Sequence, residues 1–310
     1  MEKKKVAFCT LGCKVNQYET NAMVQEFMKK NFEVVEFDEK ADIYVINTCT
    51  VTNMADRKSR QMLRKVKELA PEAVLVAVGC YAQVGKEELE KIPEIDLILG
   101  NNEKKDVVKF AEEALESKLN ATNVQKAGQG EAGDERPKKM QGKAGEAFAQ
   151  VTDVLHCEEY SEFGDVTFTE KTRAVIKVQD GCDRFCSYCI IPYARGHIRS
   201  RRPEQVVSEI TKIAQAGIKE VVITGIHLAS YGRDFGENET THKTIHQNLA
   251  NDDKTQVAKN STEQGNRPRE YGLIDLLEEI NAIEGIERIR LRFVGANTCN
   301  RRICGEVSEA

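Results

Sequence analysis

The chain has 310 residues, 40% of them hydrophobic and 31% charged, with a net charge of −5. That balance is ordinary for one or two globular domains in water, and no run of about 18 apolar residues exists from which a membrane helix could be made. It also excludes a globally basic nucleic-acid binder, so any surface for nucleic acid has to be local. The amino terminus, Met1-Glu2-Lys3-Lys4-Lys5-Val6, passes straight into a strand pattern with no apolar leader. A cytoplasmic location is therefore expected, and ten cysteines in that compartment point to metal or catalysis rather than to disulfides.

Strand and helix patterns alternate through the first hundred residues. Lys5–Thr10 reads as a strand, followed by a helix over 17–30 with Met23, Phe27 and Met28 as its apolar side. Strands are predicted at 32–37, 42–47, 73–78 and 96–99. Helices are predicted over 53–69, near 86–91 and over 103–117. Such alternation predicts a doubly wound parallel sheet. In a parallel sheet the carboxyl ends of the strands share one edge, where ligand sites gather. Cys13 follows the first strand, Cys49 the third and Cys80 the fourth. Topology alone thus brings three cysteines from distant parts of the chain to one place, whereas Cys9, inside the first strand, reads as a core thiol. Each cysteine taken singly is equally readable as a small buried hydrophobe.

From 119 to 171 the periodicity fades, and 127–145 is rich in Gly, Lys, Glu and Gln, the composition of a solvated connection. His156-Cys157 within it reads as an incidental pair. A strand over 174–178 then leads through Gly181 into Cys182-Asp183-Arg184-Phe185-Cys186-Ser187-Tyr188-Cys189. Three thiols in eight residues can wrap one small inorganic centre. A closed zinc site or a fully protein-ligated iron–sulfur cluster takes four protein ligands, so three thiolates leave a corner of a four-iron cluster vacant. A zinc knuckle with a distant fourth ligand, or a disulfide plus a spare thiol, uses the same spacing. Arg195, Arg199, Arg201 and Arg202 follow as a local basic patch suited to phosphate or carboxylate contact. A helix over 203–216, a strand over 220–224 ending at Gly225, a polar insert over 237–269, a helix over 273–283 and a strand over 288–293 complete the pattern. His227, after Gly225, reads as a polar loop histidine.

The Cys-x3-Cys-x-aromatic-Cys loop resembles that of the radical S-adenosylmethionine enzymes. The resemblance implies that Cys182, Cys186 and Cys189 hold a [4Fe-4S] cluster whose free iron chelates S-adenosylmethionine and whose reduced form cleaves it to a 5′-deoxyadenosyl radical. It also places Tyr188 beside the adenine and Gly225 at the border of the S-adenosylmethionine pocket. Gly12-Cys13-Lys14-Val15-Asn16-Gln17-Tyr18-Glu19, Asn47-Thr48-Cys49-Thr50-Val51-Thr52 and Val78-Gly79-Cys80-Tyr81-Ala82-Gln83 resemble the three cysteine blocks of the methylthiotransferases. By that resemblance Cys13, Cys49 and Cys80 hold a second [4Fe-4S] cluster that carries the sulfur to be inserted.

Lys14-Val15-Asn16 resembles the branch acting on threonylcarbamoyladenosine in tRNA. The implied function is insertion of a methylthio group at C2 of that adenosine beside the anticodon. Its cofactors are two clusters and S-adenosylmethionine, and its partners are tRNA and an electron donor, with no membrane. A ribosomal-protein methylthiotransferase and a truncated, inactive metal-binding remnant are the alternatives. The expected organisation is an α/β chain: a doubly wound domain over 1–118, a polar linker over 119–171, an incomplete radical-SAM (β/α) partial barrel over 172–293 and an atypical tail over 294–310. Three β–α repeats are about half of that family's barrel. No small carboxyl-terminal β-barrel of the tRNA-holding kind follows, so a truncation or frameshift near Phe293 is expected.

Overall fold

A computed structural model describes residues 3–126, 147–166, 172–235 and 271–292. The run 127–145, the insert 237–269 and the tail with Cys299 and Cys304 lie outside the described residues. Six parallel strands form the first sheet: β1 (Lys5–Thr10), β2 (Glu33–Val35), β3 (Ile43–Thr48), β4 (Val74–Gly79), β5 (Leu97–Leu99) and β6 (Phe148–Gln150), in the order β2-β1-β3-β4-β5-β6. β3 and β4 are buried at every position, which is why they read as continuous apolar runs rather than alternating ones. Successive side chains still point to opposite faces. Val74, Val76 and Val78 meet Met23 and Phe27 on one side. Leu75 and Ala77 meet Leu63 and Val66 on the other.

Helices cover both faces: α1 (Lys14–Lys29), α2 (Asn53–Leu69), α3 (Cys80–Val84), α4 (Lys86–Leu89) and α5 (Val107–Lys126). Met28, assigned above to the buried side of α1, is half exposed, whereas Met23 and Phe27 are buried as expected. The segment read as a linker is more ordered than its composition suggests. α5 runs on to Lys126, and β6 adds a sixth strand beside β5, pairing Leu97 with Phe148 and Leu99 with Gln150. Phe148 packs against Phe110 of α5, with ring centroids 5.8 Å apart, so a few apolar residues suffice to dock an otherwise polar stretch.

The second half has three parallel strands, β7 (Arg173–Lys177), β10 (Glu220–Thr224) and β11 (Arg288–Arg292), in the order β11-β10-β7. α7 (Pro203–Gln215) and α8 (Leu273–Asn281) connect them. Val206, Ile210 and Ile213 of α7 and Leu276 and Ile280 of α8 pack on Ala174, Ile176, Val221 and Ile223. Between β7 and α7 a two-stranded antiparallel ribbon, β8 (Gln179–Asp180) and β9 (Arg199–Ser200), zips the two stems of the cysteine loop together. The short helix α6 (Ile191–Arg195) lies within that loop. Among the described residues no helix is long and apolar enough to cross a membrane.

Candidate functional site

The first cysteine trio lies at the carboxyl edge of the large sheet. Thr48 pairs with Gly79 across β3 and β4, so Cys49 and Cys80, the next residues, leave adjacent strands at the same level. The Leu11 N–H donates to Asn47 O at 2.9 Å and holds the turn after β1 at that level too. Gly12 has φ +99°, and a Cβ there would meet Cys49 Sγ at 2.8 Å. The turn leading to Cys13 therefore rides directly on Cys49. Asn16 ties the same turn down: its Nδ2 donates to Leu11 O at 2.7 Å and Thr48 O at 3.0 Å. Burial pushes the Cys49 thiol up from its ordinary value; the neighbouring Cys80 and Cys13 push the same way, and Arg195 opposes them. Cys49 and Cys80 are buried, while Cys13 is half-buried.

The second trio sits on a more open loop. Cys182 and Cys189 are half-buried and Cys186 is exposed. The loop is pinned at its base. The Cys182 N–H donates to Gly196 O at 3.0 Å and the Cys189 N–H to Cys186 O at 2.8 Å. Asp183 Oδ1 lies 2.6 Å from His197 Nδ1. Burial raises the Cys182 thiol, and Cys189 is close enough to raise it further. Tyr188 is 91% exposed. Gly225 stands against the Gln179 side chain; Gln179 Nε2 donates to Gly181 O at 2.8 Å, and its Oε1 accepts from the His227 N–H at 2.7 Å. One buried side chain thus links the Gly225 loop to the start of the cysteine loop.

Gly181 has φ +71°, and a Cβ there would lie 1.7 Å from His197 O. Neither the backbone conformation nor the space admits a side chain. Gly181→Ala is expected to lower the unfolding free energy by more than ~1 kcal/mol, read as a fall in the urea midpoint; an unchanged midpoint would contradict the close approach.

The arginine patch behaves differently from the surface reading. Arg195, Arg199 and Arg201 are 1–2% exposed and turn inward onto protein carboxylates. Only Arg202 stays near the surface, over the Phe235 ring. Arg201 Nε donates to Glu162 Oε2 at 3.0 Å, and its guanidinium also meets buried Glu209. Arg195 reaches across to the first half: its Nη1 donates to Glu19 Oε1 at 2.8 Å and to Asp180 Oδ1 at 3.1 Å, and its Nη2 donates to Asn16 Oδ1 at 2.5 Å. Its Nε lies 3.3 Å from Cys80 Sγ. Asn101 reinforces this junction: its Nδ2 donates to Ala194 O at 2.6 Å and approaches Cys80 Sγ at 3.8 Å. The two trios are therefore joined through α6, since Arg195 stands six residues after Cys189 in the chain.

Around Arg195 lies a buried charge network that sequence reading missed. Lys177 Nζ is 2.8 Å from Glu19 and 2.6 Å from Asp180, Lys104 also meets Glu19, and Arg199 is 3.8 Å from Asp180. Burial opposes ionisation of Glu19, yet Arg195, Lys104 and Lys177 together hold its carboxyl well below the usual range. Asp180 is likewise held low, against burial, by Lys177, Arg195 and Arg199. Four basic side chains thus face two carboxylates, a formal surplus of two positive charges in the interior; burial shifts the Lys104 ammonium down from its ordinary value, and Glu19 opposes that shift. Arg199 Nε has no hydrogen-bond partner among the described residues. A sequence signal existed: Asn16 and Glu19 share the helical stripe of Met23 and Phe27 on α1, and polar residues on an apolar stripe require buried partners.

An anionic group at the Cys13/Cys49/Cys80 edge suits this surroundings. A cluster held by three thiolates is anionic, and Cys80 Sγ is in contact with the cation surplus through Arg195. Among the described residues no three His, Cys, Asp or Glu side chains are gathered as a site for a single metal ion. None of the described cysteines is in a disulfide.

Residues 5–100 match the family described as "Uncharacterized protein family UPF0004", and residues 176–294 match the Radical SAM superfamily. The threonylcarbamoyladenosine tRNA methylthiotransferase MtaB of Aquifex aeolicus is 40% identical over 287 residues, covering 93% of this chain and 55% of that protein. Its namesake in Bacillus subtilis is 33% identical over 293 residues, 94% of this chain and 52% of that one. The ribosomal protein uS12 methylthiotransferase RimO of Desulfitobacterium hafniense is 33% identical over 294 residues, again 94% and 52%. The chain spans about half the length of the curated relatives it matches.

Proposed function

The chain belongs to the radical S-adenosylmethionine methylthiotransferase family, and from that membership we propose that it acts in placing a methylthio group on C2 of threonylcarbamoyladenosine beside the tRNA anticodon. The observation that carries this reading is the junction at Arg195. A residue just past the second cysteine trio contacts the sulfur of Cys80 in the first, which supports reading the two candidate centres as parts of one site. Cys182, Cys186 and Cys189 would hold one iron–sulfur cluster, and Cys13, Cys49 and Cys80 the other. Together with S-adenosylmethionine these groups supply one-electron chemistry at an aromatic C–H that has no useful acidity, which side-chain acids and bases cannot open.

The chain's own residues position and shield. Gln179 holds the Gly225 loop against Gly181, where the S-adenosylmethionine pocket would lie, with exposed Tyr188 offering a ring face for the adenine. Arg195, Lys104, Lys177 and Arg199 set positive charge beside the first trio, and Glu19 and Asp180 fix those cations in place. Burial of Cys49 and Cys80 keeps water from the sulfur-bearing side. An electron donor completes the set of partners.

The test is to add this chain back to a strain lacking its own threonylcarbamoyladenosine methylthiotransferase and to analyse tRNA nucleosides by mass spectrometry. Appearance of the methylthio nucleoside is the expected result. Its absence, with the chain expressed and loaded with iron, would refute the reading. A methylthio group found instead on ribosomal protein uS12 would transfer the assignment to the branch of the RimO relative.

A further inference from the structure

We propose that the exposed face of α2 is a docking strip for the phosphate backbone of an RNA substrate, leading to the Cys13/Cys49/Cys80 edge. This deepens the reading above and rests on its RNA substrate. At 100° per residue, Arg64, Arg57, Glu68, Gln61, Met54, Lys65 and Lys58 fall within an arc of about 120°. Arg57 and Arg64 form one rail and Lys58 and Lys65 the other, each pair seven residues and so about 10.5 Å apart along the axis. All four cations are exposed.

Three observations set this face apart from an ordinary solvated helix surface. First, no carboxylate competes with a phosphate for its four cations, whereas Lys29 is held by Glu26, Lys86 by Glu90, Lys212 by Asp165 and Lys219 by Glu287. Arg57, Lys58, Arg64 and Lys65 have no ion-pair partner among the described residues. Second, the face carries four cations against one acid, Glu68, in a chain whose net charge is −5, the local patch that composition required of any nucleic-acid surface. Third, the strip abuts the candidate centre. Ser59 on the inner side of α2 accepts from the Cys49 N–H at 3.4 Å and donates to Cys49 O at 3.3 Å. Val51 and Met54, at the end of the strip nearest Cys49, are 57% and 71% exposed. Exposed apolar side chains at the end of two cationic rails suit a partner whose backbone is anionic and whose bases are apolar on their faces.

The experiment measures binding of a fluorescent anticodon stem-loop RNA by anisotropy, between about 50 and 300 mM KCl, to the full chain and to Arg57→Gln/Lys58→Gln/Arg64→Gln/Lys65→Gln. Glutamine is a good helix former, and circular dichroism with iron content verifies that the variant is folded and loaded. The expected result is affinity lowered at least tenfold, with the slope of log K against log salt reduced by up to ~3, at ~0.7 per single-strand phosphate contact. A control variant, Lys29→Gln/Lys86→Gln/Lys212→Gln/Lys219→Gln, removes the same charge from paired positions and should leave the slope within about 1 of the parent. Parent-like affinity and slope in the α2 variant would overturn the docking strip while leaving the RNA substrate intact. Equal losses in both variants would show bulk electrostatics and overturn it too. Failure of the parent chain to bind the RNA would overturn the substrate reading and the strip together.

Discussion

Replacing Glu19 by glutamine is expected to lower the unfolding free energy by about 3–5 kcal/mol, the scale for removing one partner of a buried ion pair. Glu19 is the anion at the centre of Lys104, Lys177 and Arg195, all of them buried. Without it four interior cations face Asp180 alone, and Arg195 of α6 keeps only its hydrogen bond to Asn16 as a tie to α1. Urea unfolding followed by circular dichroism at neutral pH reads the loss directly; an unchanged midpoint would mean that the network is solvated. The same network predicts acid lability. Glu19 and Asp180 are both held below their ordinary values in the fold. Their contribution is therefore complete above the unfolded values near 4 and is lost as pH falls from there through the depressed folded values. The parent chain should lose stability from about pH 4 downward, and Glu19→Gln should show a shallower acid limb from a lower starting point.

The second large effect concerns the cysteine trios. If each trio holds its own four-iron cluster, as proposed, Cys80→Ala and Cys189→Ala, purified and reconstituted without oxygen, are each expected to bind about four irons where the parent chain binds about eight. Each variant should keep the spectrum of the other cluster. Complete loss of iron in either one would show that the two centres are not independent, and zinc at either place would contradict the assignment. Cys9 and Cys157 are useful comparisons. Cys9 sits in β1, where burial raises its thiol, and Cys157 lies 2.8 Å from Asn102 Nδ2, away from both trios in the chain. Alanine at either should leave iron content unchanged.

Much of this protein is written in local pattern. Continuous apolar runs predict the buried strands β3 and β4, and the alternation of strand with helix predicts the parallel sheet. A parallel sheet then delivers Cys13, Cys49 and Cys80 to one edge without further information, because every strand ends there. The eight-residue cysteine loop announces itself by spacing. Those features depend on residues near one another in sequence, or on topology that a repeating pattern implies.

The destination of the arginines is of another kind. Arg195, Arg199 and Arg201 form a basic run in sequence, and such runs ordinarily face solvent or a phosphate. Here they are interior, because their carboxylate partners arrive from elsewhere: Glu19 is 176 residues from Arg195, and Glu162 is 39 from Arg201. A charge becomes buried only when another element docks over it and brings compensating atoms, and no local periodicity records that event. For the same reason the ribbon of β8 and β9 and the sixth strand β6 escaped notice, since two- and three-residue strands carry too little pattern to be read. Sequence alone determined that three cysteines end neighbouring parallel strands and three share one loop; tertiary packing decided which charges surround them, because the energy of a buried ion depends on everything within a few ångströms, wherever in the chain it comes from.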